Sequence, residues 1–209
     1  MQAAPGFIER LASPGARDLS VFINCPFDDE YASLRDALVF STVCCGLLPR
    51  SAMDLGQVSI PRMRRILTVM AECRYSIHDL MRCGGEGDFN LARFNMPLEL
   101  GIAIAHQEIA IAQHDWFVLV PNGHRYAEFV SDLGGYDPLP HDGTPDAVVR
   151  AAMAWLWTLD PAVQACRPSE VCEALPAFTF AREQLEAEFA GRQPWSLVYE
   201  AAVAAVPIP

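Results

Sequence analysis

Leu19-Ser20-Val21-Phe22-Ile23 is a short β-branched and aromatic run, stopped by Asn24-Cys25-Pro26. Bounded in this way, it reads as a buried strand meeting a loop. The segments after it decide the fold. Asp29 to Cys45 predicts a helix with Tyr31, Leu34, Leu38 and Val39 inward and Gly46 as its stop. Leu47 and Leu48 lead into a weak second strand reaching Met53, and Ser59-Ile60-Pro61 opens a second helix with Ile66, Leu67 and Met70 inward. Arg74 to Asp79 is the third strand, Cys83 to Asp88 a glycine-rich loop, and a third helix starts near Met96. Trp116 to Val120 is the fourth strand, with helical stretches at 125–132 and 145–159. Strands alternating with helices predict an α/β fold, a parallel sheet flanked by helices on both faces.

Outside this pattern, residues 1–18 read as a loose lead-in containing Pro5, Gly6, Pro14 and Gly15. Past residue 160 the alternation stops, and Pro161, Pro168, Pro176 and Pro194 punctuate short helical stretches near 168–174, 178–190 and 196–205. The expected organisation is a lead-in (1–18), an α/β domain (19–160) and a helical appendage (161–209) packed on the domain or on a partner. A chain of 209 residues accommodates one domain with an appendage.

With 52% hydrophobic, 10% aromatic and 20% charged residues, the composition is that of a globular chain. All 15 basic residues are arginine. The absence of lysine argues against a Walker phosphate loop, a Schiff-base enzyme and a phospho-acceptor receiver domain, although Asp28, Asp29 and Asp79 imitate the acids of the last. Net charge is −11; residues 94–209 carry 5 arginines against 15 acids, which disfavours a nucleic-acid surface. Arg62, Arg64, Arg65, Arg74, Arg82 and Arg93 cluster in the first part, either as a solvated face or as a holder of one phosphate-bearing ligand. Seven cysteines, two of them adjacent and none in a Cys-x-x-Cys pair, lack zinc spacing with the histidines. The expectation is buried structural thiols, no metal and a reducing cytoplasm. No apolar run of about 18 residues exists to span a membrane.

In an open parallel sheet, ligands bind beyond the carboxyl ends of the strands, where strand order reverses. That selects Asn24, Asp28 and Asp29 after the first strand, His78 and Asp79 at the third, and the segment from Asp88 to Glu99. From Met96 to Ala105, Glu99 is the sole charged or polar side chain, which predicts a helix buried all round. Its carboxylate would sit near the helix start, where the helix dipole favours ionisation and desolvation opposes it. The competing expectation is a glutamate capping the first turn from N3. Gly101 would allow close approach of a ligand or backbone. Asp79 reads as a second carboxylate or as a loop cap, Asn24 as a ribose ligand or a turn residue, and His78 as a satisfied core histidine or a substrate contact. The tryptophans read as packing.

Phe94-Asn95-Met96-Pro97-Leu98-Glu99-Leu100-Gly101-Ile102-Ala103 resembles the helix start that carries the nucleophile in nucleoside 2-deoxyribosyltransferases. The Glu99-Leu100 pair is similar to the catalytic-glutamate segment of TIR domains, and Val21-Phe22-Ile23-Asn24 looks like their first strand. Residues 20–105 together resemble bacterial proteins of unassigned role that combine these signatures. The resemblance implies a flavodoxin-like fold over about 19–121 and cleavage of an N-glycosidic bond in a nucleoside, nucleotide or NAD. It implies Glu99 as nucleophile or oxocarbenium stabiliser and Asp79 as its partner, with Asn24, Asp28, Arg64, Arg93, Asn95 and His78 contacting substrate. A role in bacterial antiphage defence is implied in the same way. Ile102 stands where the transferases tend to carry an aromatic, and Asn95-Met96 where many TIR domains have Trp-Cys. The alternative function is a non-catalytic nucleotide-sensing or protein-binding module, with the C-terminal helices available to a second copy or another protein.

Overall fold

The computed structural model describes residues 6–54, 59–82, 94–109, 113–123, 130–159 and 166–207. Five strands form one sheet: β1 (Ser20–Asn24), β2 (Leu48–Arg50), β3 (Tyr75–Asp79), β4 (Asp115–Pro121) and β5 (Leu139–His141). Their order is β2-β1-β3-β4-β5, and every neighbouring pair is parallel. Such a sheet is compatible with a flavodoxin-like arrangement, and its strand order reverses between β1 and β3.

Alternation along the strands assigns each side chain to one of two cores. Val21, Ile23, Tyr75, Ile77, Phe117 and Leu119 join one cluster with α3 (Ala32–Cys44) and α6 (Pro145–Leu159). Phe22, Val118 and Val120 turn to the opposite face, against α4 (Arg62–Ala71) and α5 (Asn95–Glu108). Both faces of β1 and β3 are therefore covered, and all ten of their residues are buried.

Helix α3 is an interior helix, with every residue from Asp36 to Cys44 buried. One side lies on the sheet. The other is covered by α7 (Pro168–Glu188) and α8 (Trp195–Ala205). Phe178 stacks on Phe40 with ring centres 5.3 Å apart, and Trp195 Nε1 donates to the Pro49 carbonyl at 3.0 Å. Arg182 places Nε 3.0 Å from Asp36 Oδ1. The C-terminal helices thus pack on the α/β core itself.

Several elements differ from the sequence reading. The first helix starts later, because Asp28 caps a 3-10 turn at Asp29–Tyr31 that precedes α3. The lead-in contains two short helices, α1 (Phe7–Leu11) and α2 (Ala16–Leu19). Buried Phe7 contacts Tyr199, and Arg10 donates to the Tyr199 hydroxyl, which ties this segment to α8. The stretches near 168–174 and 178–190 are one helix through Pro176, since Val171, Leu175, Phe178 and Arg182 keep a single buried stripe across the proline. Leu139-Pro140-His141 is a strand that sequence reading missed; a proline is tolerated on the sheet edge. Leu67 is 40% exposed rather than inward. The predicted loop at 83–88 lies outside the described residues, as does most of the predicted helix at 125–132, whose described end enters a 3-10 turn at Ser131–Leu133. Among the described residues no helix is long and apolar enough to cross a membrane, and no group of three or more potential ligands is arranged to hold a metal ion.

Candidate functional site

The carboxyl ends of β1 and β3 lie side by side, with Asn24 opposite His78. Asn24 and His78 point to the α4/α5 face and start a buried hydrogen-bonded run. Asn24 Nδ2 donates to the Met96 carbonyl at 3.1 Å and lies 2.9 Å from His78 Nδ1; His78 Nε2 lies 2.8 Å from Ser76 Oγ. Ser76 Oγ is 2.9 Å from His114 Nε2, and His114 Nδ1 is 3.1 Å from the Cys73 carbonyl. One proton placement satisfies every member. The carbonyl can only accept, so His114 donates from Nδ1, Ser76 donates to His114, His78 donates from Nε2 to Ser76, and Asn24 donates to His78. Both histidines are neutral in this arrangement, and burial pushes the pKa of His78 down to about 3. With both ring nitrogens occupied and no exposed surface, His78 acts as a strut rather than a substrate contact. Through Asn24 and Met96 the run fixes the first turn of α5 and, one turn on, Glu99.

The strut has a pH signature. Its folded pKa lies below the ordinary histidine value, so the unfolded chain takes up the proton first, and stability is intact above about pH 6.5 and lost as pH falls. Relative to a His78→Asn variant, the wild type is expected to lose about 2 kcal/mol of unfolding free energy between pH 7 and pH 5. Urea titrations at several pH values measure this; parallel pH profiles for the two proteins would refute the strut's neutrality.

Asp79 points to the α3 face and is fully buried. It accepts a short hydrogen bond from the Tyr31 hydroxyl and another from the Met81 backbone at 2.8 Å, and His141 Nε2 stands 3.2 Å from its Oδ2. That ring nitrogen is near the carboxylate without the alignment of a hydrogen bond. Tyr31 and His141 went unnoticed as site residues because folding alone brings them to Asp79. Asp28 accepts from the Tyr31 backbone and from Arg82 Nη2 at 3.2 Å, and Arg82 also bonds Glu30 at 2.7 Å.

Glu99 is the exception among these acids. Phe94 is the N-cap of α5, so Glu99 is the fifth helical residue and no N3 cap. It is 4% exposed, lies between the core residues Met96, Leu100 and Ala103, and accepts no hydrogen bond among the described residues. Burial pushes its pKa up to about 7, with Arg62 pulling the other way. The helix around it is not buried all round as expected: Phe94 (68% exposed), Leu98 (54%) and Ile109 (67%) share an outward face, and Glu99 sits on the inward side. Gly101 also faces outward, and a Cβ there would meet nothing within 4 Å, so no close approach explains it.

Buried Cys25 marks where the acids converge. Its thiol pKa is pushed up by burial and by the nearby charges of Asp79, Glu99 and Asp28, against the pull of Arg35. It stays protonated, which suits a structural thiol better than a nucleophile. Of the proposed substrate contacts, Asn95 is the exposed first residue of α5, Arg64 is exposed on α4, and Arg93 lies outside the described residues. Arg62, rather than Arg64, is the guanidinium that acts on Glu99. Two residues along a helix turn a side chain through about 200°, and the first turn of α4 is the part at the strand ends.

No family model, no curated protein and no solved structure matches this chain.

Proposed function

We propose that this protein cleaves the N-glycosidic bond of a nucleotide, nucleoside or NAD, with Glu99 meeting the positive charge that develops at C1 of the ribose. The observation that carries this reading is Glu99 itself: a carboxylate 4% exposed, without a hydrogen bond among the described residues, at the strand-order reversal and held near neutrality. A desolvated carboxylate interacts with a nearby cation far more strongly than a hydrated one, and titration near 7 keeps a large ionised fraction at working pH.

The state of Asp79 narrows the chemistry. Committed to Tyr31 and the Met81 amide, it is poorly placed to protonate a departing base. A base joined through a cationic pyridinium nitrogen leaves as a neutral molecule and needs no acid, so the one available carboxylate suits a pyridinium nucleotide best. Incubating the protein with NAD, nucleotides and nucleosides and following free base by mass spectrometry tests the proposal. Base release from at least one of them is expected, pyridinium nucleotides leading; intact substrates throughout would sink it. The locked Asp79 also favours a second reading, a nucleotide-sensing module, for which a large thermal shift with the ligand recovered intact is the expected result.

A further inference from the structure

We infer that Arg35 and Arg62, both set against the ring of Phe27, form a subsite for the phosphates of a phosphorylated ligand, most closely a diphosphate. This deepens the reading of the crevice given above, and rests on it for the position of the sugar. Phe27 lies in the loop after β1, beside the crevice. The Arg35 guanidinium carbon is 5.3 Å from the centre of its ring and that of Arg62 is 5.9 Å away. The two cations therefore cannot be further apart than the sum of those distances, a span that two linked phosphates accepting charge-assisted hydrogen bonds can bridge.

Two independent observations single out this pair. The first is charge balance. Asp28 and Glu30 are bonded to Arg82, Asp36 and Glu186 to Arg182, and Asp79 to Tyr31. Arg35 and Arg62 form no ion pair among the described residues, in a chain with 26 acids against 15 arginines, although Arg35 lowers the pKa of the adjacent Asp36 from beyond ion-pair distance. Their fields nevertheless reach the centre of the site: Arg62 lowers the pKa of Glu99, and Arg35 that of Cys25. The second is space. Phe27 and Arg35 also line a cleft of about 120 Å³ between α3, α7 and α8, which Arg62 does not reach; the cleft's other charged residues are Asp29 and the ion-paired Asp36, Glu186 and Arg182, so Arg35 is the cation that borders open room there without an ion pair among the described residues. Two arginines that share one aromatic ring, one exposed and acting on Glu99 and the other half-buried and acting on Cys25, are placed to hold an anion from outside.

The subsite selects phosphorylated ligands over neutral nucleosides. The test uses the full chain with Glu99→Gln added, so that no turnover occurs, and measures binding of inorganic pyrophosphate, inorganic phosphate, ADP and adenosine by calorimetry. Pyrophosphate and ADP are expected to bind, with phosphate weaker and adenosine weakest. Arg35→Gln and Arg62→Gln are each expected to weaken pyrophosphate at least about tenfold, with adenosine unchanged. Affinity should fall steeply with salt. Thermal melts check that each variant is folded, and Arg62, on the surface of α4, is the safer of the two. Equal binding of adenosine and ADP, or pyrophosphate binding that survives both substitutions in folded protein, overturns the subsite. Failure of base release with pyrophosphate binding intact overturns the glycosidic reading alone.

Discussion

Glu99→Gln is expected to lower base release by at least about 10³-fold and, at the same pH, to make the protein more stable. Both effects come from one buried carboxyl group whose pKa is raised from 4.5 to about 7. The folded chain holds that proton after the unfolded chain has lost it, so the group's contribution is greatest below pH 4.5 and disappears as pH rises through 7. A shift of this size costs the wild type about 3 kcal/mol once Glu99 is fully ionised. Glutamine keeps the shape without the charge, so the variant is expected to gain up to that amount at pH 8 and nothing at pH 4. Activity runs the opposite way, because the ionised form stabilises the ribosyl cation: kcat/KM of the wild type is expected to rise with an apparent pKa near 7. Denaturation and rate measured on one pH series decide the matter. A variant less stable than wild type at pH 8 would show that Glu99 is held by favourable partners rather than by desolvation.

Arg182→Leu is expected to destabilise the protein by about 3 kcal/mol, because the buried Asp36 carboxylate loses its ion pair and keeps only Thr179 and the more distant Arg35. Asp36 and Arg182 are 2% and 4% exposed, and burial already pushes the Asp36 pKa up, with Arg182 opposing. Replacing both as Asp36→Leu/Arg182→Leu is expected to return most of the loss, since an apolar pair of similar volume needs no compensation. Guanidinium titrations of the three variants complete the cycle. A single-variant loss under about 1 kcal/mol would mean that solvent reaches the pair and that α7 is loosely held on α3.

Much of the framework was readable because each device is local. The β-branched run at 19–23, the proline before Arg62 and the glycine after Cys45 announce their elements over a few residues. What escaped depends on contacts across the chain. Leu139-Pro140-His141 becomes a strand only because β4 offers it an edge, and the continuous α7 only because α3 accepts one stripe on both sides of Pro176. The same division holds at the site. Glu99 stands out in the sequence as a lone acid in an apolar helix, whereas the hydrogen bonding of Asp79 by Tyr31 and the Met81 amide, with His141 close by, is visible only in the fold. Arg62 and Arg64 are only two places apart in sequence, and folding decides which of them comes near enough to lower the pKa of Glu99.

The burial of α3 also orders events in time. Its outer surface, Phe40 included, is covered by Phe178 and Trp195, which are synthesised more than a hundred residues later. While the chain emerges from the ribosome, the first strands and α3 exist without the surface that completes them. The early half of the protein must therefore wait, exposed to chaperones and to other nascent chains, until the last helices arrive.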